Sequence, residues 1–305
     1  MNDKVLVITR IGAAAVLLAF ALASPGFVSQ ASMVSLLTTS SFIGCVAVGM
    51  TLITLSGNVM AFCLGATAAV SAMTFIVATN WGGVAFAIPA ALLFGALLNC
   101  IQGIIIGRLR ANPIIVSIAA FALIEGAAQG VTGGTSVYFS TTAYKVLKGK
   151  LFGIPYEFIA FLLSVAVAQF ILSLTSFGRH IYLFGDSPRA AEAVGMPTWR
   201  TVTFVYFWAG LFAAVSGILL ALRYGESSME YGAGYDYSAI AAVLVGGTAV
   251  QGGQGAAWRT FLGVIVIALV QMILLLNGLR QEWQYFIAGL IVLVVIMLQT
   301  RLARA

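Results

Sequence analysis

Apolar residues run along this chain in blocks of about twenty, separated by short polar joints. Blocks of that length are what a ~30 Å hydrocarbon core asks of a helix. The pattern predicts ten membrane helices, near residues 6–23, 34–55, 60–79, 84–106, 114–131, 157–175, 201–222, 238–250, 260–277 and 283–300. The eighth is too short to cross a bilayer unless the glycine-rich backbone after it continues the span. The joints carry turn chemistry, such as "SPGF" at 24–27 and "RANP" at 110–113. No A-x-A cleavage site follows the first apolar run, so that run reads as a retained helix. No long linker or soluble segment interrupts the series, which predicts one all-α polytopic membrane domain over residues 1–305.

Composition agrees: 61% of the residues are hydrophobic and 8% charged, where a soluble domain carries roughly 25% charged residues. The formal charge of +6 points to topology rather than to nucleic acid, because no basic cluster alternates with aromatics. Ten spans put both termini on one side. Placing that side in the cytoplasm assigns Lys4, Arg10, Arg108, Arg110, Arg179, Arg189, Arg200, Arg259, Arg301 and Arg304 inside. Lys145, Lys148, Lys150, Arg223 and Arg280 fall outside, the asymmetry the positive-inside rule predicts. The acids Glu157, Glu226, Glu230, Asp236 and Glu282 fall outside too, which leaves Glu125 as the only ionisable residue deep in a predicted span.

Glycines recur at four-residue spacing, at Gly103 and Gly107 and again at Gly126, Gly130 and Gly134. Small residues at that interval let helices approach closely in lipid. Packing within the chain is favoured over a seam between copies. Cys45, Cys63 and Cys100 lie in apolar segments without metal-ligand spacing and read as small buried hydrophobes. No phosphate-binding loop, H-E-x-x-H or G-x-S-x-G occurs, and His180 is the only histidine. The chain thus offers no nucleophile with a base and no fuel site of its own, and reads as a transport component rather than an enzyme.

One polar joint is unusually structured. In "GRHIYLFGDSPRAAEAVGMPTWR", residues 178–200, Ser187 is placed to cap a short helix and Pro188 suits its first position. Ala190, Ala191, Glu192 and Ala193 favour helix, Gly195 suits a left-handed end, and Pro197 stops continuation. A helix of about 10 Å is too short to hold itself and needs a surface. It is either a capped loop on the membrane face or a lever inserted into another subunit.

The residues here resemble a known family. "FGRHIYLFGDSPRAAEAVGM" is similar to the cytoplasmic loop of the ribose-type permeases of ATP-binding cassette importers, approximately F-G-R-x-x-Y-A-x-G-x-N-x-x-A-A-x-x-x-G-I. "GAGYDYSAIAAVLVGGTAVQGGQG", residues 232–255, resembles their G-x-G-Y-E-L-x-A-I-A-A-V-V-x-G-G-x-S-x-x-G-G-x-G. "ANPIIVSI" at 111–118 is similar to their N-P-F-I-x-T-L. The resemblance implies a permease in a bacterial inner membrane, paired with a second copy or close paralogue. It also implies a cytoplasmic ATPase that binds the ATP and Mg, and a periplasmic solute-binding protein that delivers the ligand. The 187–194 helix would then couple to the ATPase through Arg179, Ser187, Pro188, Arg189, Ala190, Ala191, Glu192 and Gly195. Arg179, Arg189 and Arg200 either meet carboxylates of the ATPase or are solvated anchors. In the glycine-rich block, Gly252, Gly253 and Gly255 read as a tight turn, and Gly246 and Gly247 as close-packing or hinge positions.

Two departures bear on the solute. The family carries a G-G-I-D-L-S-V-G-like stretch where this chain has "SGNVMAFCLGA", residues 56–66, without the acid. Its fifth helix more often holds an Arg-Gly pair where this chain has Glu125–Gly126. A buried charge must be solvated or paired, so Glu125 faces a watery passage or another subunit, or is a neutral acid bonded inside the bundle. Asn58, Phe62, Glu125 and Gln129 are the candidate passage lining. A monosaccharide or related polyol is the leading solute, and an amine-bearing or cationic one the alternative. An ATP-independent channel or carrier ranks behind these, and a scaffold or intramembrane enzyme last.

Overall fold

The computed structural model describes residues 27–304 apart from Val59 and Phe152. The helix predicted at 6–23 lies outside the described residues. Nine long or half-length helices and two short ones follow. They are α1 (Gln30–Leu55), α2 (Leu64–Gly82), α3 (Val84–Leu109), α4 (Pro113–Thr132), α5 (Tyr156–Leu174), α6 (Ser176–Asp186), α7 (Pro188–Ala193), α8 (Thr198–Tyr224), α9 (Tyr235–Val245), α10 (Ala257–Leu276) and α11 (Gln281–Arg304). Among the described residues, α1 to α5, α8 and α10 are long and apolar enough to cross a membrane, seven spans in all.

Their ends follow the turn chemistry of the sequence. Asn112 Oδ1 accepts the Ile114 N–H at 2.9 Å, and Pro113 fills the first position of α4. In lipid, helices associate through packing rather than through exclusion from water, so small residues and short polar side chains do the joining. The two central helices show this. α8 lies against α1, α2 and α3, with Gly210 so close to Gly95 of α3 that a Cβ there would meet the Gly95 carbonyl. Ser216 Oγ donates to the Phe42 carbonyl of α1 at 2.8 Å. On α1, Thr51 Oγ1 donates to the Ala47 carbonyl at 2.7 Å and shares a hydrogen bond with Thr260 of α10, also 2.7 Å. Each hydroxyl thus finds a partner without water. Cys45 and Cys63 are buried, while Cys100 is only partly so.

The loops sort the bundle into two ends. At one, Leu55, Arg110, Asp186, Glu192 and the 246–255 turn come together. At the other, a strap over residues 136–155 is held by a two-stranded pairing of Val137–Tyr138 with Glu226–Ser227. Asn80 clamps it, donating to the Tyr138 carbonyl and accepting the Ser140 N–H. Lys148 sits 5.1 Å from the Tyr144 ring centre. Partial burial, and then the Arg223 charge, lowers its pKa.

Three expectations change. The eighth predicted span, 238–250, is a half-length helix: α9 has 11 residues and ends at Gly246, and Gly247 takes φ 88°, which turns the chain away. The polar joint before 187 carries a helix of its own, α6, because Thr175 caps it and Gly178 and Gly185 let it lie against its neighbours. The glycine repeats divide. Gly103 and Gly107 pack against Thr203, Tyr206 and Trp199 of α8, as expected, whereas Gly126, Gly130 and Gly134 meet nothing within 4 Å among the described residues.

These contacts predict opposite outcomes for one substitution at two places. Gly210→Ala forces a methyl into the α3 backbone and should cost about 1–3 kcal/mol, lowering the melting temperature in detergent. Gly126→Ala should leave it unchanged or raise it slightly, since helix propensity gains up to about 1 kcal/mol there.

Candidate functional site

Two chain segments break the helical pattern inside the bundle, and the site forms where they meet. The first, residues 56–63, joins α1 to α2; the second, 228–234, joins α8 to α9. The second runs down along the first turns of α2: Ser227 Oγ donates to the Ala69 carbonyl, and Gly232 lies backbone to backbone on Gly65. At ~1.5 Å per residue, α9 covers about 16 Å, roughly half of a hydrocarbon layer. Its far end is tied to the end of α1, where Gly253 N–H donates to the Leu55 carbonyl at 3.0 Å. The start of α9 therefore sits about half a membrane in from that end.

Asp236 is the joint. It lies in the first turn of α9 with 8% exposure, and accepts the Gly65 N–H at 3.0 Å on Oδ1 and also the Leu64 N–H. Those are orphan donors of the first turn of α2, whose N-cap position, Cys63, makes no side-chain cap. One carboxylate thus answers the positive ends of two helices at once. Sequence reading placed Asp236 in an outer loop and made Glu125 the lone deep acid; the structure reverses this, with Asp236 buried and Glu125 only partly so. The signal was available, since Asp236 stands where the family's glycine-rich block carries an acid.

Beside the joint opens a cavity of about 720 Å³, lined by Phe62, Glu125, Gln129, Glu230, Asp236 and Tyr237 among others. Three of the four residues expected to line a passage therefore share one space. Gln129 Nε2 donates to Glu125 Oε1 at 3.2 Å along α4. Asn58 does not join them: it is buried, and its Nδ2 donates to Ser56 Oγ at 2.9 Å within the first broken segment. The lining holds three carboxylates and no Lys, Arg or His, with aromatic walls from Phe62, Phe121, Tyr237 and Tyr285. Among the described residues, no group of His, Cys, Asp and Glu is placed to hold a metal ion.

At the end of the bundle below the cavity stands α7. Ser187 Oγ accepts the Ala190 N–H at 3.3 Å, and Gly195 takes φ 75° and donates to the Glu192 carbonyl. Both ends are capped as the residue types predict. Ala191 is buried against the bundle, Arg189 and Ala190 are exposed, and Val194 at the helix end is 74% exposed. Arg179 is exposed on α6. Glu192 pairs with Arg110, after α3, at 2.9 Å.

α6, which leads into α7, is tied through backbone contacts to the first broken segment and to the 246–255 turn. Gly185, two residues before α7 is capped, presses on the Leu55 carbonyl, and a Cβ on Gly252 would lie 2.6 Å from the Gly57 Cα. Tyr182 Oη donates to the Gly255 carbonyl at 2.9 Å. Gly252 and Gly253 have φ 92° and 72°, so they form the tight turn read from sequence. Gly246 packs on the Arg259 backbone of α10.

A polytopic bundle with broken helices around a cavity has the architecture of a membrane transport protein. The comparisons agree. Residues 32–296 match the family described as branched-chain amino acid transport system / permease component, and the chain belongs to that family. It is 30% identical over 271 residues to the autoinducer 2 import system permease protein LsrD of Photorhabdus laumondii, covering 86% of this chain and 81% of that one. It is 28% identical over 282 residues to the ribose import permease protein RbsC of Haemophilus influenzae, covering 90% and 86%. No solved structure matches. The ribose-type resemblance read from three motifs therefore stands, and the chain is a multi-pass transport subunit, not an enzyme.

The joint predicts its own cost. Asp236→Ala leaves two buried α2 donors unpaired and should cost about 2–3 kcal/mol, while Asp236→Asn, which keeps one acceptor, should cost less. Melting temperatures of the two variants in nanodiscs check the order.

Proposed function

We propose that this chain is the membrane subunit of an ATP-driven importer for a small polar solute, a monosaccharide or related polyol. The observation that carries the mechanism is the backbone tie that α6, just before the capped α7, makes with the end of α1 and the 252–253 turn, which lead to the first broken segment and to α9 beside the cavity. In this reading the end bearing α7 faces the cytoplasm. The predicted 6–23 helix, the seven spans, the half-length α9 and α11 make up ten membrane segments with both termini inside, and residues 1–305 act as one domain. A second permease copy stands beside the first, a cytoplasmic ATPase holds ATP and Mg, and a periplasmic solute-binding protein delivers the ligand at the strap end. That the relatives are named for import of ribose and of autoinducer 2 supports a sugar-like solute.

In this mechanism the ATPase seats α7 and moves it as a rigid lever. α6 carries that displacement to the end of α1 and the 252–253 turn, where packed glycine backbone leaves no slack to absorb it. The broken segments shift in turn, and the cavity opened by Phe62, Glu125 and Gln129 changes its access. Gly246 and Gly247 act as the bend between α9 and that turn. Arg179, Arg189 and Glu192 frame the docking face.

The acid lining favours a second reading of the solute. Three carboxylates without a cation repel anions and suit hydroxyls or a positive charge, so an amine-bearing solute is the alternative. Thermal shift of the companion binding protein with neutral sugars and with amines separates the two.

The exposure pattern of α7 separates docking from seating. Val194→Asp should abolish ATPase binding in pull-down while the permease keeps its melting temperature, and Ala191→Asp should lower that temperature as well. Normal ATP-dependent uptake by the Val194 variant would overturn the docking assignment. Glu125→Gln should reduce uptake at least about tenfold, the factor that ~1.4 kcal/mol carries, with ATPase assembly intact.

A further inference from the structure

We propose that Arg108 and Arg200, both set against the Trp199 ring, hold the phosphate of an anionic phospholipid whose acyl chain lies along α3. The guanidinium carbons of Arg108 and Arg200 lie 5.1 and 5.3 Å from the Trp199 ring centre. Both arginines are exposed, and neither has a carboxylate partner among the described residues. The nearby acid on α7, Glu192, is taken by Arg110.

Local electrostatics calls for an anion here. Arg200 stands in the first turn of α8, at the positive end of that helix's dipole. That turn has no acidic residue and no side-chain cap from Pro197. A cation at such a place is unfavourable unless something negative answers it, and Arg108 brings a second positive charge to the same spot. Two guanidiniums offer a phosphate paired, fork-like donors, which stay available because the nearby Glu192 is engaged by Arg110.

The shape of the adjoining surface names the rest of the ligand. Leu93, Leu97, Ile101 and Ile104 of α3 are 56%, 56%, 55% and 40% exposed. Their spacing places them on one helix face, and the next turn of that face ends in Arg108. Phe204, 54% exposed, continues the apolar surface from Arg200 along α8. An indole at the boundary between such a stripe and a pair of cations is the arrangement of a membrane interface. A ligand that satisfies both parts has an acyl chain and a phosphate, which distinguishes it from a soluble anion or an acidic protein groove. Basic pockets between membrane helices bind anionic headgroups on this principle.

The full chain is purified from membranes containing phosphatidylglycerol and phosphatidylcholine, and retained lipid is counted by native mass spectrometry. Phosphatidylglycerol should be retained over phosphatidylcholine. Arg108→Gln and Arg200→Gln should each lower its retention about fivefold, the factor for roughly 1 kcal/mol per cation. Arg179→Gln, on the same end but not stacked on the indole, should leave retention unchanged. Melting temperatures of the variants in phosphatidylcholine nanodiscs verify that the fold is kept. Equal retention of the two lipids overturns the proposal, as does an equal loss in the Arg179 variant. Displacement of the lipid by millimolar inorganic phosphate would assign the site to a soluble anion and overturn it too.

Discussion

Everything in this bundle answers to one constraint: within hydrocarbon, a backbone N–H without a partner costs several kcal/mol. Continuous helices meet it alone. The two broken segments, 56–63 and 228–234, cannot, and they are pinned where the start of α9 meets the start of α2. The Asp236 carboxylate accepts the first donors of α2, and the glycine-to-glycine approach of Gly65 and Gly232 brings the chains near enough for it to do so. Irregular backbone at membrane depth is tolerated where it is buried in protein or lines a cavity, and here it does both. The cavity opens beside this joint, between the start of α9 and α4.

A second economy follows near the far end of α9. There the ends of α1 and α6 and the 249–255 turn approach through Gly57, Gly185 and Gly252. Polar side chains are nearly absent from this contact; Tyr182 contributes the one side-chain hydrogen bond to the Gly255 carbonyl. Backbone-to-backbone packing of this kind is stiff, because no rotamer can adjust to take up a displacement. A stiff contact between the end of α6 and the break after α1 makes the two move together. A soft one would not.

Much of the architecture was legible along the chain, and the rest fails for identifiable reasons. The spans α1 to α5, α8 and α10 announce themselves because uninterrupted apolar length has only one physical use. The capped α7 was legible because Ser187, Pro188 and Gly195 each solve a local problem of a helix end. The amphipathic α6 was hidden, since its 11 residues lie on the bundle through Gly178, Ile181 and Gly185 and carry no long apolar run. Asp236 was misplaced because hydropathy reads a charge as an exit from the membrane. It cannot register that the charge is answered by donors from a helix more than 150 residues away, a |i−j| of 171 for the Gly65 bond. Asn58 looked like lining from its position in the break, yet its side chain turns to Ser56 instead. Phe62, Glu125 and Gln129 drew notice because their polarity or position is odd for their segments, and they line one cavity.

The wall that carries Glu125 has a further consequence. Among the described residues, α4 has 17% of its most apolar window buried, against 89% for α1, and its Gly126 and Gly130 face nothing. One side of the cavity is therefore rigid and the other hangs on a helix that its neighbours barely grip. A space built that way cannot act as a mould. A wall so sparsely packed can be displaced at little cost in contacts, so the space is defined by its chemistry more than by its outline.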